Sequence, residues 1–200
     1  KDASQEILSK ILSKAGITQV QVDTATDGQI INGCLVLHYI KYGEKAYYER
    51  NDVRYVIATN LTSVSKLMFY CCSNLELVYA PNLQRIENGH TESKDGRFIG
   101  FGSFQETALT DICFPKLLYV GYNSFFCCQK VLTVDLPLCE TIADKAFQLC
   151  TSMKFANLPN VKSVGVMSFN RCTSMEHLVL PVAESVGVNC ISGCASLKTI

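Results

Sequence analysis

The chain has 200 residues, of which 48% are hydrophobic and 18% are charged, and its 18 basic and 18 acidic side chains give a formal net charge of zero. This composition is typical of a folded protein with a large core and excludes a disordered chain. Lys and Arg form no cluster and no apolar run approaches the ~20 residues of a membrane-spanning helix, so we expect neither a nucleic-acid partner nor a membrane span.

Residues 1–52 show no repeating pattern and are predicted to form an N-terminal cap built from a helix and strands. The helix is expected to begin near Ser4 and to end at Gly16. Its apolar stripe consists of Ile7, Leu8, Ile11 and Leu12. Alternating residues predict a strand over 17–23 and another over 34–40, with Asn32-Gly33 as a turn signal between them.

From residue 53 onward the sequence repeats every 22 residues. Prolines mark the period, at Pro115, Pro137, Pro159 and Pro181. Pro81 lies 34 residues before Pro115, which is one period plus a net insertion of 12. Six full repeats cover 53–74, 75–108, 109–130, 131–152, 153–174 and 175–196, and a seventh begins at Leu197. Such self-similarity is the mark of a solenoid, whose open core the N-terminal cap is expected to cover.

Each repeat carries apolar residues at the same positions, so that these residues form columns through the core. Residues 131–136 show the first part of a repeat, an alternating stretch that predicts a short strand ended by proline. The chain then bends, often at a glycine such as Gly121, Gly165 or Gly187, and a short helical turn is predicted to carry a phenylalanine and a cysteine. Stacking of the strands predicts one parallel sheet along one face.

Eleven cysteines would suggest a disulfide scaffold in a secreted protein. Five of them share one repeat position, namely Cys72, Cys128, Cys150, Cys172 and Cys194. Because an unpaired cysteine behaves as a small buried hydrophobe, we predict a column of thiols in the core. Disulfides or a metal site are the alternatives, although no Cys-x-x-Cys pair exists, and the redox compartment stays open.

The repeat pattern Leu-x-x-Ile-x-Leu-Pro, followed by Ile-Gly-x-x-x-Phe-x-x-Cys-x-x-Leu, is best matched by Val131–Cys150, Met153–Cys172 and Met175–Cys194. It resembles the BspA-type leucine-rich repeats over residues 53–200. The resemblance implies an α/β fold class, a right-handed leucine-rich repeat solenoid with short parallel strands on one face. It also implies no enzymatic activity, and a role at cell surfaces in adhesion or in binding host proteins. The insertion in the second repeat and the pair Cys190-Ile191 depart from the pattern.

The strand residues four and two positions before each proline are predicted to face away from the core. We take the candidate protein-binding face from these two rows: Tyr55, Ile57, Leu77, Tyr79, Asp111, Phe155 and His177. The first four form an apolar patch, which marks a binding surface if it is exposed. The alternative is that the N-terminal cap or the insertion folds over this patch. The rest of the sheet face, with Thr133, Asp135 and Asn157, is polar.

The insertion, about 88–100, is polar and rich in turn residues. It holds His90, Glu92 and Asp95, a weak metal set, but a tolerated surface loop is the simpler interpretation. Catalysis has little support, because Cys113 and His177 lie three coils apart, roughly 14 Å, on the predicted face. We expect no enzyme, no cofactor and no metal.

The sequence therefore predicts a non-enzymatic module that binds a protein partner of unknown identity through the sheet face, at the cell surface or after secretion. The alternative is a cytoplasmic scaffold, or a structural solenoid that self-assembles as a homo-oligomer through an uncapped C-terminal repeat. Since residue 200 falls just inside a predicted strand, we expect the chain to be a fragment of a longer repeat protein.

Overall fold

The computed structural model describes residues 3–94 and 97–200, with the backbone alone for 90–94 and 97–99. Its two helices are α1 (Ala3–Ala15) and α2 (Gln19–Thr24). The strands of the first face are β1 (Ile30–Ile31), β2 (Cys34–Val36), β3 (Tyr55–Ile57), β5 (Leu77–Tyr79), β9 (Asp111–Cys113), β11 (Thr133–Asp135), β13 (Phe155–Asn157) and β15 (His177–Val179). Those of the second face are β4 (Ser63–Val64), β6 (Arg85–Ile86), β10 (Tyr119–Val120), β12 (Thr141–Ile142), β14 (Ser163–Val164) and β16 (Ser185–Val186). The insertion adds β7 (His90–Lys94) and β8 (Arg97–Phe101).

The first face confirms the predicted parallel strands that end before proline. Its sheet runs in the order β1-β2-β3-β5 and, beyond the insertion, β9-β11-β13-β15. Thr133 pairs with Phe155 and Phe155 with His177, one period apart. Between β5 and β9 the strand pairing lapses, but Thr110 N still donates to Glu76 O at 3.1 Å, so that the coils remain stacked across the insertion.

A second parallel sheet forms a few residues after the proline position of each coil, so the expectation of one sheet is wrong. It contains six two-residue strands in the order β4-β6-β10-β12-β14-β16. A strand of two residues is too short to show alternation in a sequence, and only its inward residue, such as Val164, recurs as an apolar column.

The segment that follows the second strand is a run of β-turns, so the predicted helical turn is also wrong. Two residues have positive φ in each coil except the one that carries the insertion, for example Lys145 at 56° and Leu149 at 64°. A left-handed residue at every fourth position prevents α-helix formation. Amides between these positions instead bond to the next coil, as Phe147 N does to Ser168 O at 2.8 Å. The turns thereby form a third ladder of hydrogen bonds between coils.

The phenylalanine column is a continuous stack of rings through the core. Neighbouring ring centroids lie 5.1–5.8 Å apart and the planes are within 4–14° of parallel. The members of the stack are Tyr47, Phe69, Phe104, Phe125, Phe147 and Phe169. Offset stacks at this distance stabilise aromatic pairs beyond the burial of their area.

The cysteine column lies beside the rings and confirms the predicted thiols. All eleven cysteines are thiols. Cys150 Sγ donates to Phe125 O and Cys172 Sγ to Phe147 O, both at 3.2 Å, and the other column members repeat this bond. Stacked coils hold parallel side chains ~4.8 Å apart, whereas a disulfide needs Cβ atoms about 3.8 Å apart. The register therefore keeps neighbouring thiols unlinked.

The N-terminal segment is partly as predicted. Helix α1 and the hairpin turn at Asn32 (φ 48°) and Gly33 (φ 76°) are confirmed. Residues 17–23 do not form a strand, because the Thr18 and Gln21 side chains make a capping box that starts α2. The strand predicted over 34–40 is limited to β2.

The solenoid begins at residue 34, one coil before the boundary expected at residue 52. Strand β2 pairs in parallel with β3, with Leu35 opposite Val56. Tyr47 occupies the ring column of this first coil. The cap is therefore limited to α1, α2 and β1, where β1 closes the sheet edge as an antiparallel strand.

The insertion is an antiparallel hairpin of β7 and β8 rather than a loop. It is anchored on the next coil, where Gly89 N donates to Tyr122 O at 2.9 Å. Of the predicted metal set, Asp95 and the side chains of His90 and Glu92 lie outside the described residues.

Glycine at the bend after the second strand permits the close approach of coils. A Cβ atom at Gly165 would lie 2.4 Å from Asp144 N, and one at Gly187 2.4 Å from Gly165 C. Gly43 has the same position in the first coil, yet a Cβ atom there would meet nothing within 4 Å.

We predict that Gly165→Ala lowers the free energy of unfolding by about 2 kcal/mol or more, because backbone atoms would have to move. Gly43→Ala is the matched control and should be neutral or stabilising by about 0.5 kcal/mol, since alanine restricts the unfolded chain. Urea denaturation of both variants measures the difference. Equal effects would contradict the proposed close packing at Gly165.

A second prediction concerns alkaline pH. Burial raises the pKa of the Cys128 thiol to about 12, against 9.0 for an exposed thiol. As the pH rises, the unfolded chain therefore releases this proton before the folded chain does. The contribution of the protonated thiol to folding stability is complete below about pH 8 and is lost as the pH rises toward 12. Urea melts give the free energy of unfolding at pH 8 and at pH 10. Between these two pH values, this free energy should fall by about 1 kcal/mol less in Cys128→Ala than in the parent chain. The same loss in both proteins would show that the thiol ionises equally when folded.

Candidate functional site

The apolar half of the predicted binding face is buried under helix α1. Tyr55, Ile57, Leu77 and Tyr79 are only 1–6% exposed. They form a second hydrophobic core with Ile7 and Ile11 of α1 and with the residues around α2. The expectation that these four residues are exposed is therefore wrong, and the alternative, that the N-terminal cap covers them, is what the structure shows.

Polar contacts hold α1 in place at its edges. Gln5 Nε2 donates to Tyr79 Oη at 2.9 Å, and Asn32 Nδ2 donates to Ala15 O at the helix end at 3.1 Å. Lys14 Nζ lies 3.1 Å from a Glu76 carboxylate oxygen. Such half-exposed ion pairs contribute little each, so the apolar contacts of α1 supply most of its attachment.

The open half of the first face consists of β9, β11, β13 and β15. Its polar side chains bond to one another along the sheet. Thr133 Oγ1 donates to Asp111 Oδ1 at 2.9 Å, and Asn157 Nδ2 donates to Asp135 Oδ1 at 2.7 Å. This half is therefore a surface whose polar side chains are already oriented by hydrogen bonds.

Phe155 is the large apolar side chain in the outward rows of this open half. It is 39% exposed and lies between Thr133 and His177. The ring of His177 is itself hydrogen-bonded, through Nδ1, to Thr199 Oγ1 at 2.8 Å. The structure thus places Asp111, Phe155 and His177 of the predicted face on one surface.

Asp111 lies at the border between the covered and open halves. Its carboxylate accepts hydrogen bonds from Thr110 and Thr133, and Lys10 Nζ of α1 lies 3.5 Å from Oδ2. A partner that covers the open half as far as β9 would therefore meet α1 at this residue.

The described structure does not bring Cys113 and His177 together. Cys113 and His177 lie on the two outer strands of a four-stranded sheet, about 14 Å apart at ~4.8 Å per strand. His38 lies elsewhere, with Nε2 2.9 Å from Ala25 O. Within residues 3–94 and 97–200, no group of three or more His, Cys, Asp or Glu could hold a metal ion.

Sequence reasoning missed an apolar strip where the chain turns from the first sheet to the second. Leu118, Leu138 and Val182 are exposed there and line a shallow groove of about 420 Å³ with Glu140 and Lys162. The sequence contains a signal for this strip. Leu138 and Val182 directly follow repeat prolines, at a position where other coils have the polar residues Asn or Lys.

This architecture, with two ladders of short parallel strands and a core of repeated columns, defines a leucine-rich repeat solenoid. A family model described as BspA type leucine rich repeat region matches residues 35–95 and 97–200 in 6 copies. The chain belongs to the BspA-type leucine-rich repeat family, and the match begins in the coil that precedes residue 52.

No curated protein matches the chain. A leucine-rich repeat protein from Bacteroides ovatus ATCC 8483, known from a crystal structure, is similar to it at 13% identity and a TM-score of 0.40. The match covers 82% of this chain, which spans 58% of that protein. Neither of the described helices is long and apolar enough to cross a membrane.

We predict that α1 is attached by its apolar stripe. Ile11, which is completely buried against the sheet, should cost about 3 kcal/mol of unfolding free energy when changed to alanine. Val20→Ala is the control, because Val20 on α2 is 69% exposed and its truncation should change stability by less than about 0.5 kcal/mol. Thermal and urea melts give both values. A small effect at Ile11 would mean that α1 is not stably docked.

Proposed function

We propose that the chain is a non-enzymatic protein-binding module that holds its partner on the open half of the first face. The observation that carries this proposal is the 39% exposed ring of Phe155 within rows of polar side chains. The family supports the coarser statement, since leucine-rich repeats of this kind typically form protein-binding modules.

The surface around Phe155 has the properties of a protein interface. An aromatic side chain at the centre of a polar rim is the usual arrangement of an energetic hot spot. The rim residues Thr133, Asp135 and Asn157 are short and already hydrogen-bonded or paired along the sheet. Little side-chain entropy is therefore lost on binding. Asp111 and His177 complete the proposed surface, whereas Tyr55, Ile57, Leu77 and Tyr79 are not part of it.

We further propose that this binding serves adhesion at the cell surface or after secretion. The support is the family to which the repeats belong. The alternative is a cytoplasmic scaffold, or a solenoid that self-assembles through its C-terminal repeat. Self-assembly predicts a mass that rises with protein concentration, and sedimentation of the purified chain over a hundredfold concentration range tests it.

The predicted effect of Phe155→Ala tests the binding surface. We expect the purified chain to bind saturably to one or more purified extracellular matrix proteins, and Phe155→Ala to weaken that binding about tenfold or more, as loss of a central aromatic does. Leu138→Ala is the matched control, because Leu138 is 48% exposed but lies outside the face. Biolayer interferometry measures both.

Two outcomes would contradict the proposal. Equal affinity of Phe155→Ala and the parent chain would remove the open half as the binding surface. Absence of saturable binding to every matrix protein, together with inaccessibility of the chain to antibody on intact source cells, would remove the adhesion role.

A further inference from the structure

The insertion creates a polar groove on the second face that the protein-binding proposal does not use. This groove, termed here the insertion groove, has a volume of about 470 Å³ and is open to solvent. Its lining includes Asn88, Gly89, Tyr122, Thr141, Asp144 and Ser163. An open groove of this volume can hold one side of a small ligand but does not enclose it.

The groove exists because the hairpin packs tightly on the next coil. A Cβ atom at Gly89 would lie 2.3 Å from Phe101 O and 2.8 Å from Tyr122 O, and one at Gly100 would overlap the Tyr122 ring. Close contact between backbone and ring thereby sets one wall beside Tyr122. The strands β12 and β14 form the floor.

The polar groups of the groove are held in fixed orientations by hydrogen bonds. Asn88 Oδ1 accepts from Tyr119 Oη at 2.7 Å and from Tyr122 N at 3.0 Å, which leaves the amide nitrogen as the outer group. Asp144 Oδ1 accepts from Val166 N at 2.7 Å, which fixes the position of the second carboxylate oxygen. No lysine or arginine is among the described lining residues that could pair with this oxygen. Preorganised groups of this kind lower the entropic cost of binding.

The floor of the groove is a row of hydroxyl groups. Thr141 and Ser163 are paired residues on neighbouring strands, and Ser185 Oγ extends the row by donating to Ser163 Oγ at 3.1 Å. Each hydroxyl can both donate and accept. The strands themselves lie about 4.8 Å apart, so adjacent hydroxyls of the row can bond to one ligand or to each other, as those of Ser163 and Ser185 do.

The charges of the described lining disfavour the other common ligand classes. Among the described residues that line the groove there is one carboxylate and no cationic side chain, so they offer no Arg or Lys fork for phosphate or sulfate. A single carboxylate is a poor site for Ca²⁺, and Mg²⁺ held by one carboxylate usually needs substrate phosphates as well. Lys145 lies outside the lining, with Nζ 5.8 Å from the centre of the Tyr122 ring. The hydroxyl row and the Tyr122 ring favour a neutral ligand with many hydroxyl groups and an apolar C–H face.

We propose that the insertion groove binds a neutral saccharide. The Tyr122 ring contacts the C–H face of the sugar, Thr141 and Ser163 exchange hydrogen bonds with its hydroxyls, and Asn88 and Asp144 supply a donor and an acceptor at the rim. The site lies on a different sheet from Phe155, so it is independent of the protein-binding proposal.

A glycan microarray that carries neutral, sialylated and sulfated oligosaccharides tests the proposal with the purified 200-residue chain. Multivalent display on the array retains weak binders. We expect signal on neutral glycans, and saturable binding of the best of them in solution by titration calorimetry. An array without signal on neutral glycans, or with signal on acidic glycans alone, overturns the proposal.

The variants Thr141→Val and Thr133→Val form a matched pair, because both replace an outward strand threonine with a valine of the same shape. Thr141→Val should weaken glycan binding about fivefold through the lost hydroxyl, whereas Thr133→Val on the first face should leave it unchanged. Ser163→Ile, which fills the groove and suits a strand, should abolish binding. Phe155→Ala should have no effect. Equal weakening by Thr133→Val and Thr141→Val would place the sugar elsewhere and overturn the proposal.

Discussion

Coil-to-coil register is the constraint on which the rest of the structure depends. Three ladders of backbone hydrogen bonds, two in sheets and one in the turns, connect successive coils, and the first is interrupted between β5 and β9. All three can form together only if equivalent residues are stacked, because a slip of one residue would reverse the facing of every strand side chain. The same register aligns the phenylalanine rings, brings the glycines to the bends and sets the thiols one above another.

The thiol column illustrates how this constraint selects residue types. At the position of Cys150 the side chain must be small and apolar, yet a backbone carbonyl, Phe125 O, faces it at 3.2 Å. Alanine would lose the weak hydrogen bond, and serine would bring a strongly solvated hydroxyl into an apolar column. Cysteine satisfies both requirements. This accounts for its high frequency in a chain whose cysteines are all unpaired thiols.

The features that sequence analysis predicted well are those that recur. The strand before the proline, the ring column and the thiol column each appear in several copies, so a local irregularity such as Cys190-Ile191 does not hide them. The coil at 34–52 was missed because it has His38 in place of proline and Arg50 in place of the column cysteine. Helix α2 was missed because its alternating residues suggested a strand, whereas the capping box of Thr18 and Gln21 decided the structure.

Only half of the predicted binding face is exposed in the structure, because sequence alternation carries limited information. Alternation shows which residues leave the core, but it does not show what covers them. The needed signal was a match between two surfaces, since the apolar stripe of α1 and the patch around Tyr55 both require cover. When the apolar stripe of α1 packs against this patch, it covers the first three coils of the face. The coils from Asp111 onward remain exposed to solvent. The polar character of that open half is then explained, because it is the part of the sheet that remains in water.

The division at Asp111 also separates what the two faces can do. On the first face, α1 occupies the apolar part, so a partner must be recognised by one aromatic ring among oriented polar groups, which favours specific contact over broad hydrophobic association. On the second face, the insertion adds a wall to an otherwise flat row of hydroxyls. A repeat scaffold is uniform along its axis, so recognition depends on the places where the repetition is broken. In this chain those places are the helix that covers one sheet and the hairpin that stands beside the other.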